Sequence, residues 1–189
     1  MRYLNIASPV EDYELVRGCL REDRKYQEAI FQRYAGKLMV VSLRYARHRM
    51  EAEDILQDAF IRIFDHIDQF QGKGSLEGWM RRIVVNTALK NIDKKSFSSE
   101  IIGLDNTPED NPGALPSVFP QLHEEELLQL IQQLPDGYRI VFNMYAIEGY
   151  SHAEISDLLG IQESTSRSQL VKARKMLQTQ ILKIQKVAV

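Results

Sequence analysis

This chain of 189 residues has one cysteine and no long apolar run. Two long segments of it each lack charged residues of one sign. Cys19 is the one cysteine, so the chain can build neither an internal disulfide framework nor a site with several thiolate ligands. The longest apolar runs, such as residues 38–43, are far too short to span a bilayer, and the first residues lack the apolar centre of a signal peptide. We therefore expect a cytoplasmic protein.

One long segment lacks basic residues, and another lacks acidic residues. No lysine or arginine lies between Phe97 and Glu126, where seven acidic residues occur, and no acidic residue lies from Ser164 to the C-terminus. The net charge of −2 therefore hides an acidic middle between two basic flanks. Basic flanks are typical of proteins that contact the phosphate backbone of nucleic acids.

The acidic segment is also rich in proline. The range 96–121 contains prolines at positions 108, 112, 116 and 120, so no regular element is expected there. Helical periodicity predominates before and after this range, and no segment alternates as a strand would. The sequence thus predicts an all-α protein in which two small helical domains, at 1–95 and 122–189, are joined by a flexible acidic linker at 96–121.

The segment from Gly149 to Leu177 predicts two short helices joined by a tight turn. Ser151 and Glu154 have the spacing of a capping box, and Gly160 stands where a left-handed residue closes a helix. The apolar stripe predicted for the first helix consists of Ile155, Leu158 and Leu159. This pattern is typical of a helix-turn-helix that binds DNA.

The second of these helices is predicted to begin near Ser164 and to have two unlike faces. Its apolar positions are Leu170, Ala173, Met176 and Leu177. The opposite face is predicted to carry six side chains able to contact bases or phosphates: Ser164, Thr165, Arg167, Ser168, Gln169 and Lys172. A plain helical hairpin with a solvated basic face is the alternative, but the cap, the turn glycine and the one-sided charge together favour DNA binding.

Two further patterns lie in the first domain. The range 53–64 predicts an amphipathic helix with a broad apolar stripe, and the range 70–75 predicts a polar loop with two glycines. The next helix combines Trp79 with basic side chains such as Arg81 and Arg82. Aromatic and basic side chains together suit a single DNA strand, whose bases can be stacked or held outside the duplex. A structural tryptophan in a helical core would explain Trp79 equally well on its own.

In their order and spacing these segments resemble the extracytoplasmic-function, or group 4, sigma factors of the sigma-70 family of bacterial RNA polymerase. The resemblance is carried by the ranges 15–20, 34–35, 53–60 and 79–83, by Asn86, by Leu134-Pro135 and by the helix-turn-helix. It implies a first domain that binds the β′ clamp helices of core polymerase and opens the −10 promoter element. It implies a second domain that binds the β flap and reads the −35 element.

The resemblance also implies roles for individual residues. Binding to core polymerase is implied for Asp54, Gln57, Asp58 and Phe60. Contacts with the −10 strand are implied for Phe70, Gln71, Gly72, Lys73, Trp79, Arg81, Arg82, Asn86 and Lys90. On the polar face of the recognition helix, the resemblance assigns −35 contacts to Arg167, Ser168, Gln169 and Lys172. It further implies an anti-sigma factor, often embedded in a membrane, as a partner, and no catalysis, cofactor, metal ion or small-molecule substrate.

Two serines depart from the pattern of the family. Ser166 stands where a valine usually packs the recognition helix, and Ser156 replaces a common alanine in the preceding helix. The first departure bears on how the recognition helix is oriented.

Other classes of protein fit the residues less well. A di-metal enzyme would pair carboxylates such as Glu53 and Asp58 with Glu-x-x-His motifs on facing helices, and none of the four histidines completes such a pair. The GKGS sequence at 72–75 lacks the spacing of a phosphate-binding loop. A stand-alone helix-turn-helix regulator is the alternative function, and one of response-regulator type would need alternating strands and helices in residues 1–95.

Overall fold

The computed structural model describes residues 9–91 and 124–187, and within these ranges it contains helices and no strand. This confirms the predicted all-α fold class. The chain separates into two compact units, Met1–Asn91 and Ile92–Val189, called here the N-terminal and the C-terminal unit. The predicted linker at 96–121 lies outside the described residues, so its limits stay a prediction. None of the helices in the described ranges is long and apolar enough to cross a membrane.

Four helices and one short turn form the part of the N-terminal unit that the structure describes, residues 9–91. They are α1 (Pro9–Cys19), α2 (Arg24–Tyr45), α3 (Arg49–Asp65), a 3-10 turn (Ile67–Gln69) and α4 (Leu76–Asn91). Helix α2 packs against α1, α3 and α4, and α3 packs against α4. Large apolar side chains of α2, α3 and α4 fill the core between them, among them Ile30, Leu38, Ile63 and Met80. Burial of such side chains is the main stabilising term of a small helical domain.

Polar side chains fix where three of these helices begin. The Asp23 carboxylate, the His48 ring and the Ser75 hydroxyl each accept a hydrogen bond from a backbone amide of the first turn, at 3.0, 3.2 and 3.0 Å. These side chains satisfy amides that have no partner within the helix. The start of α4, and with it the end of the preceding glycine loop, is therefore held by Ser75.

Helix α1 lies close to α2. A Cβ atom on Gly18 would be 2.0 Å from the ring of Tyr26, so this approach requires glycine. The Tyr34 hydroxyl donates to the Asp12 carboxylate at 2.5 Å, and Arg33 pairs with the same carboxylate at 3.2 Å. Burial and the hydrogen bond to Asp12 raise the pKa of Tyr34. Together these contacts tie α1 to the rest of the unit.

Within residues 124–187, the C-terminal unit has four helices. They are α5 (Glu124–Gln132), α6 (Asp136–Phe142), α7 (His152–Leu159) and α8 (Glu163–Val187), and a π-helical turn (Asn143–Ile147) continues α6. Helix α8 packs against α5, α6 and α7. The core contains Ile131, Ile140, Met144, Ile155 and Leu177. After Phe142 the helix thus changes to a wider winding over five residues.

A buried arginine joins α5 to α6. The Arg139 guanidinium pairs with Asp136 at 2.6 Å and donates to the carbonyl of Leu134 at 3.3 Å. It also donates to the carbonyl of Gln132, the last residue of α5, at 3.5 Å. Because the last carbonyls of a helix have no amide partner within it, this side chain serves as a cap for α5 across Pro135. The sequence analysis did not single out Arg139, since a charged residue on a helix is ordinarily exposed.

Candidate nucleic-acid interface

Helix α7 has the predicted start and end. Ser151 and Glu154 form the capping box: the serine hydroxyl accepts from the Glu154 amide at 3.2 Å, and the glutamate accepts from the Ser151 amide at 2.8 Å. Gly160 adopts φ 67° and ψ 34°, the left-handed conformation that ends a helix. Ile155 is buried as predicted, but Leu158 is 44% exposed. The stripe of α7 that packs against α8 is therefore narrower than the sequence predicted.

The turn between α7 and α8 is closed by the side chain and backbone of Ser156. The Ser156 hydroxyl donates to the carbonyl of Ile161 at 2.5 Å. The backbone amides of Gly160 and Ile161 both donate to the Ser156 carbonyl, at 2.9 and 3.2 Å. An alanine at this position would leave the Ile161 carbonyl without that hydroxyl donor, so Ser156 is part of the turn.

The exposed part of the recognition helix α8 is smaller than predicted. Ser164 and Arg167 are exposed, whereas Thr165, Ser168 and Lys172 are half-buried. The Ser168 hydroxyl donates to the carbonyl of Thr165 at 3.0 Å, and Arg167 forms an ion pair with Glu163 one turn earlier. Arg167 is thus the most accessible cation among the predicted −35 residues.

Gln169 does not lie on the polar face to which the sequence analysis assigned it. Its side chain is 0% exposed and belongs to the buried face of α8, between Ser166 and Ala173. Neither its amide nitrogen nor its amide oxygen has a hydrogen-bond partner among the described residues. The prediction that Gln169 lies on the polar face of α8 is therefore wrong, because the helix phase places it against the other helices of the unit. Its contact with the −35 element stays a prediction.

Ser166 is fully buried and has a partner on α7. Its hydroxyl lies 2.9 Å from Nδ1 of His152. The His152 ring stacks on Tyr145 of the π turn, with centroids 4.4 Å apart and an interplanar angle of 21°. Burial, followed by the charges of Arg167 and Arg174, lowers the pKa of His152.

In the N-terminal unit, the loop from 70 to 75 projects from the start of α4. Gln71, Lys73 and both glycines of the loop are exposed, and Gly72 and Gly74 adopt φ values of 71° and 92°. The half-buried rings of Phe70 and Trp79 lie against each other, with centroids 5.7 Å apart and an interplanar angle of 55°. Two aromatic rings thus support the base of a loop whose tip is accessible.

Four of the predicted −10 residues share one face of α4. Trp79, Arg82, Asn86 and Lys90 are separated by three, four and four residues, the spacing of a single helical stripe, and the last three are exposed. Arg81 is half-buried and lies on a different flank of the helix. The structure therefore brings the loop and this stripe together and separates Arg81 from them.

Helix α3 presents a second surface, called here the α3 stripe. Its exposed residues Asp54, Gln57, Asp58 and Ile61 follow one another at helical spacing. Phe60, predicted with this surface, is only 5% exposed and packs between Phe31 and Phe64, with ring centroids 4.8 and 5.9 Å apart. The burial of Phe60 fits the apolar stripe predicted for this helix, and its part in core-polymerase binding stays a prediction.

Two apolar side chains of the same region were missed by the sequence analysis. Ile61 is 53% exposed, and Phe31 of α2 is 47% exposed. The spacing of Ile61 from Asp54 and Asp58 was a signal in the sequence, because seven and three residues place all three on one face. Phe31 gave no such signal, since its position beside Phe60 depends on how α2 packs against α3.

Comparison with known proteins identifies the class to which these two units belong. The model of sigma-70 region 2 matches residues 30–97, and the model of sigma-70 region 4 matches residues 124–177. The chain therefore belongs to the sigma-70 family. It is an RNA polymerase sigma factor, a protein of promoter-specific transcription initiation.

Individual relatives match along most of their length. The RNA polymerase sigma-H factor of Pseudomonas aeruginosa is 25% identical over 177 residues, covering 88% of this chain and 92% of the relative. The ECF RNA polymerase sigma-E factor of Escherichia coli K12 is 26% identical over 186 residues, covering 93% and 97%. The predicted resemblance to extracytoplasmic-function sigma factors is confirmed, and the stand-alone regulator is not favoured.

Two solved structures are similar to the chain. One is CnrH in complex with the cytosolic domain of CnrY, with a TM-score of 0.47 and 16% identity, covering 90% of this chain and 96% of that one. The other is the sigma factor RpoE in complex with the anti-sigma factor NepR from Bartonella quintana, with a TM-score of 0.49 and 18% identity, covering 83% and 96%.

Proposed function

We propose that the two units read a promoter at two points while both are held by one polymerase. The domain at 1–95 binds core polymerase and opens the −10 element, the domain at 122–189 reads the −35 element, and the segment 96–121 tethers them. Tethering makes the second contact effectively intramolecular, so neither unit needs high affinity for DNA by itself. No catalytic step is required, and the protein acts in the cytoplasm together with core polymerase.

The α3 stripe is the proposed docking surface for the β′ clamp helices. Asp54, Gln57 and Asp58 offer exposed acidic and polar groups, and Ile61 adds apolar area among them. Phe31 extends the apolar area onto α2 through its ring contact with Phe60. A mixed surface of this kind fits an interface with an apolar centre and a polar rim. Phe60 acts from beneath, by holding Phe31 in place.

The loop at 70–75 and the stripe of α4 are the proposed contacts for the opened −10 strand. The observation that carries this proposal is the packing of Phe70 on Trp79 at the foot of the exposed loop, continued by Arg82, Asn86 and Lys90 along one helix face. A base held at such a loop offsets part of the unstacking cost, which is about a few kcal/mol per step. The basic stripe can follow the phosphates of the same strand. Arg81 supports the helix from its flank.

Helix α8 is the proposed reader of the −35 element. Arg167 and Ser164 are exposed at its beginning, and Lys172 and Thr165 flank them. Because α8 contains no acidic residue after Glu163, its surface favours approach to phosphates. Ser168 contributes through its remaining acceptor capacity, and the buried Gln169 is proposed to support α8 from its packed face.

Two kinds of protein partner are assigned to these surfaces. We propose that core polymerase binds through its β′ clamp helices to the α3 stripe and through its β flap to the C-terminal unit. An anti-sigma factor, soluble or embedded in a membrane, would inhibit the protein by covering the exposed α3 stripe. A small-molecule substrate has no part in this function.

Transcription from a genomic fragment library, with a matched core polymerase, tests the proposed function. The expected result is a set of transcripts that require this protein and share two sequence elements at a fixed separation. If the matched core enzyme yields no transcript that depends on the protein, the proposed function is wrong.

A further inference from the structure

The contact between Ser166 and His152 is a hydrogen bond inside a buried helix interface. Ser166 is fully buried in the interface between α7 and α8. A buried hydroxyl is unfavourable unless it is hydrogen-bonded, and here its partner is Nδ1 of His152 at 2.9 Å. A hydrogen bond depends on direction, whereas apolar packing does not. The interface therefore holds a directional contact between the first turns of the two helices.

His152 is itself held in place. Its ring stacks on Tyr145 with centroids 4.4 Å apart, and the Arg174 guanidinium lies 5.8 Å from the centroid of the Tyr145 ring. Tyr145 belongs to the π turn, where the winding departs from the regular helix of α6. The π turn, α7 and α8 thus converge on one imidazole ring.

The turn supplies a second directional contact. The Ser156 hydroxyl donates to the Ile161 carbonyl at 2.5 Å, where the chain leaves α7. The contact between His152 and Ser166 joins the first turn of α7 to the first turn of α8. Two separate directional contacts limit rotation of α8 about its own axis more strongly than one, and Arg167 directly follows Ser166 in that helix.

We propose that His152 and Ser166 are a positioning pair, which sets the rotation of the recognition helix so that Arg167 meets DNA in one orientation. The inference rests on the proposed function, because it concerns the reading of the −35 element by α8. Neither residue contacts DNA in this proposal. The pair acts through Arg167 and the other exposed side chains of the first turns.

A double-mutant cycle separates positioning from stability. Ser166→Ala removes the hydroxyl, and His152→Phe removes the ring nitrogens while keeping an aromatic ring for stacking on Tyr145. The full chain and core polymerase are assayed on a promoter selected from the genomic library and on the same DNA with its upstream element scrambled. The readouts are the ratio of initiation on the two DNAs and the melting temperature of each variant.

Each single substitution is expected to lower the discrimination ratio about three- to tenfold, in line with the loss of one hydrogen bond. The double variant is expected to be no worse than either single variant, because both remove the same contact. Ser42→Ala is the matched control, since Ser42 is also fully buried and its hydroxyl donates to the Leu38 carbonyl at 3.1 Å, but it lies in the N-terminal unit. It should lower the melting temperature without changing the ratio.

Two results would overturn the positioning pair. One is a lower melting temperature with an unchanged discrimination ratio in both single variants, which would make the contact structural only. The other is a discrimination ratio that falls, in the double variant, by the product of the two factors measured for the single variants. Nitrogen NMR of the His152 ring in the full chain separates this proposal from the proposed function, because it needs no promoter. Ser166→Ala must shift the Nδ1 resonance, and an unshifted resonance refutes the pair even if the protein initiates no transcription.

Discussion

Arg167 and Gln169 are two residues apart in the recognition helix, and their side chains lie in opposite environments. Arg167 is exposed, whereas Gln169 is completely buried among the helices of the C-terminal unit. Both are polar, and sequence reasoning placed both on the DNA-facing surface. The helix phase seen in the structure separates them into a candidate reader and a constituent of the core.

Gln169→Met should stabilise the protein. The buried amide of Gln169 has no hydrogen-bond partner among the described residues, and an unpartnered buried amide costs about 1–3 kcal/mol. Methionine has a similar length and lacks the amide. We expect an increase in the free energy of unfolding of the C-terminal unit within that range, measured by urea titration, and unchanged binding to promoter DNA. A loss of DNA binding without a loss of stability would show that Gln169 faces the groove.

Asp58→Lys should weaken the binding of core polymerase. Asp58 is exposed in the middle of the α3 stripe, so the substitution reverses a charge on the proposed docking surface and should alter stability by no more than about 0.5 kcal/mol. Binding is measured with labelled protein and purified core enzyme. Glu14→Lys is the control, because Glu14 is an exposed acid on α1, which packs against α2. If the two substitutions weaken the binding of core polymerase equally, the α3 stripe is not the docking surface.

Protonation of His152 should destabilise the C-terminal unit. The folded state lowers the pKa of His152 through burial and through the charges of Arg167 and Arg174, with Glu163 opposing them. The unfolded chain therefore takes up this proton first, and the stability contributed by neutral His152 is lost as the pH falls below about 6.5. Urea titrations at about pH 7.5 and about pH 5.5 measure this loss. The free energy of unfolding should fall more for the wild type than for His152→Phe when the pH is lowered. Equal losses would contradict the lowered pKa.

The thiol of Cys19 should not react in the folded protein. Cys19 is buried at the end of α1, and burial together with the nearby Asp23 carboxylate raises its pKa to about 11. The thiolate is the reactive form, so an aromatic disulfide reagent at about pH 8 should label the thiol only when the N-terminal unit unfolds. Labelling rates of Cys19 with and without urea test this expected protection of the thiol. Rapid labelling in native buffer would contradict the packing of α1 against α2.

The sequence was sufficient for those features that depend on local signals. The all-α fold class followed from periodicity, and the capping box of Ser151 and Glu154 and the left-handed Gly160 were predicted at the residues where the structure has them. Each of these features needs only a few neighbouring residues. The family resemblance rested on the order of such segments, and the two region models confirm it.

The features that depend on partners distant in the chain could not be predicted. The exposure of Phe31 beside Phe60 follows from the packing of α2 against α3. The burial of Gln169 follows from the helices that surround α8. The sequence alone does not show whether a polar residue at the border between two helix faces is buried or exposed. The roles of Ser156 and Ser166 likewise became visible only with their partners, Ile161 and His152.

Pairing a protein variant with a DNA variant tests two-point promoter reading most directly. Initiation is measured on a library-selected promoter and on the same promoter with its upstream element scrambled, each with the wild type and with Arg167→Ala. Because Arg167 is proposed to act through the upstream element, its loss should lower initiation on the intact promoter about tenfold and have little further effect on the scrambled one. The same fold loss on both promoters, with core binding retained, would contradict the account.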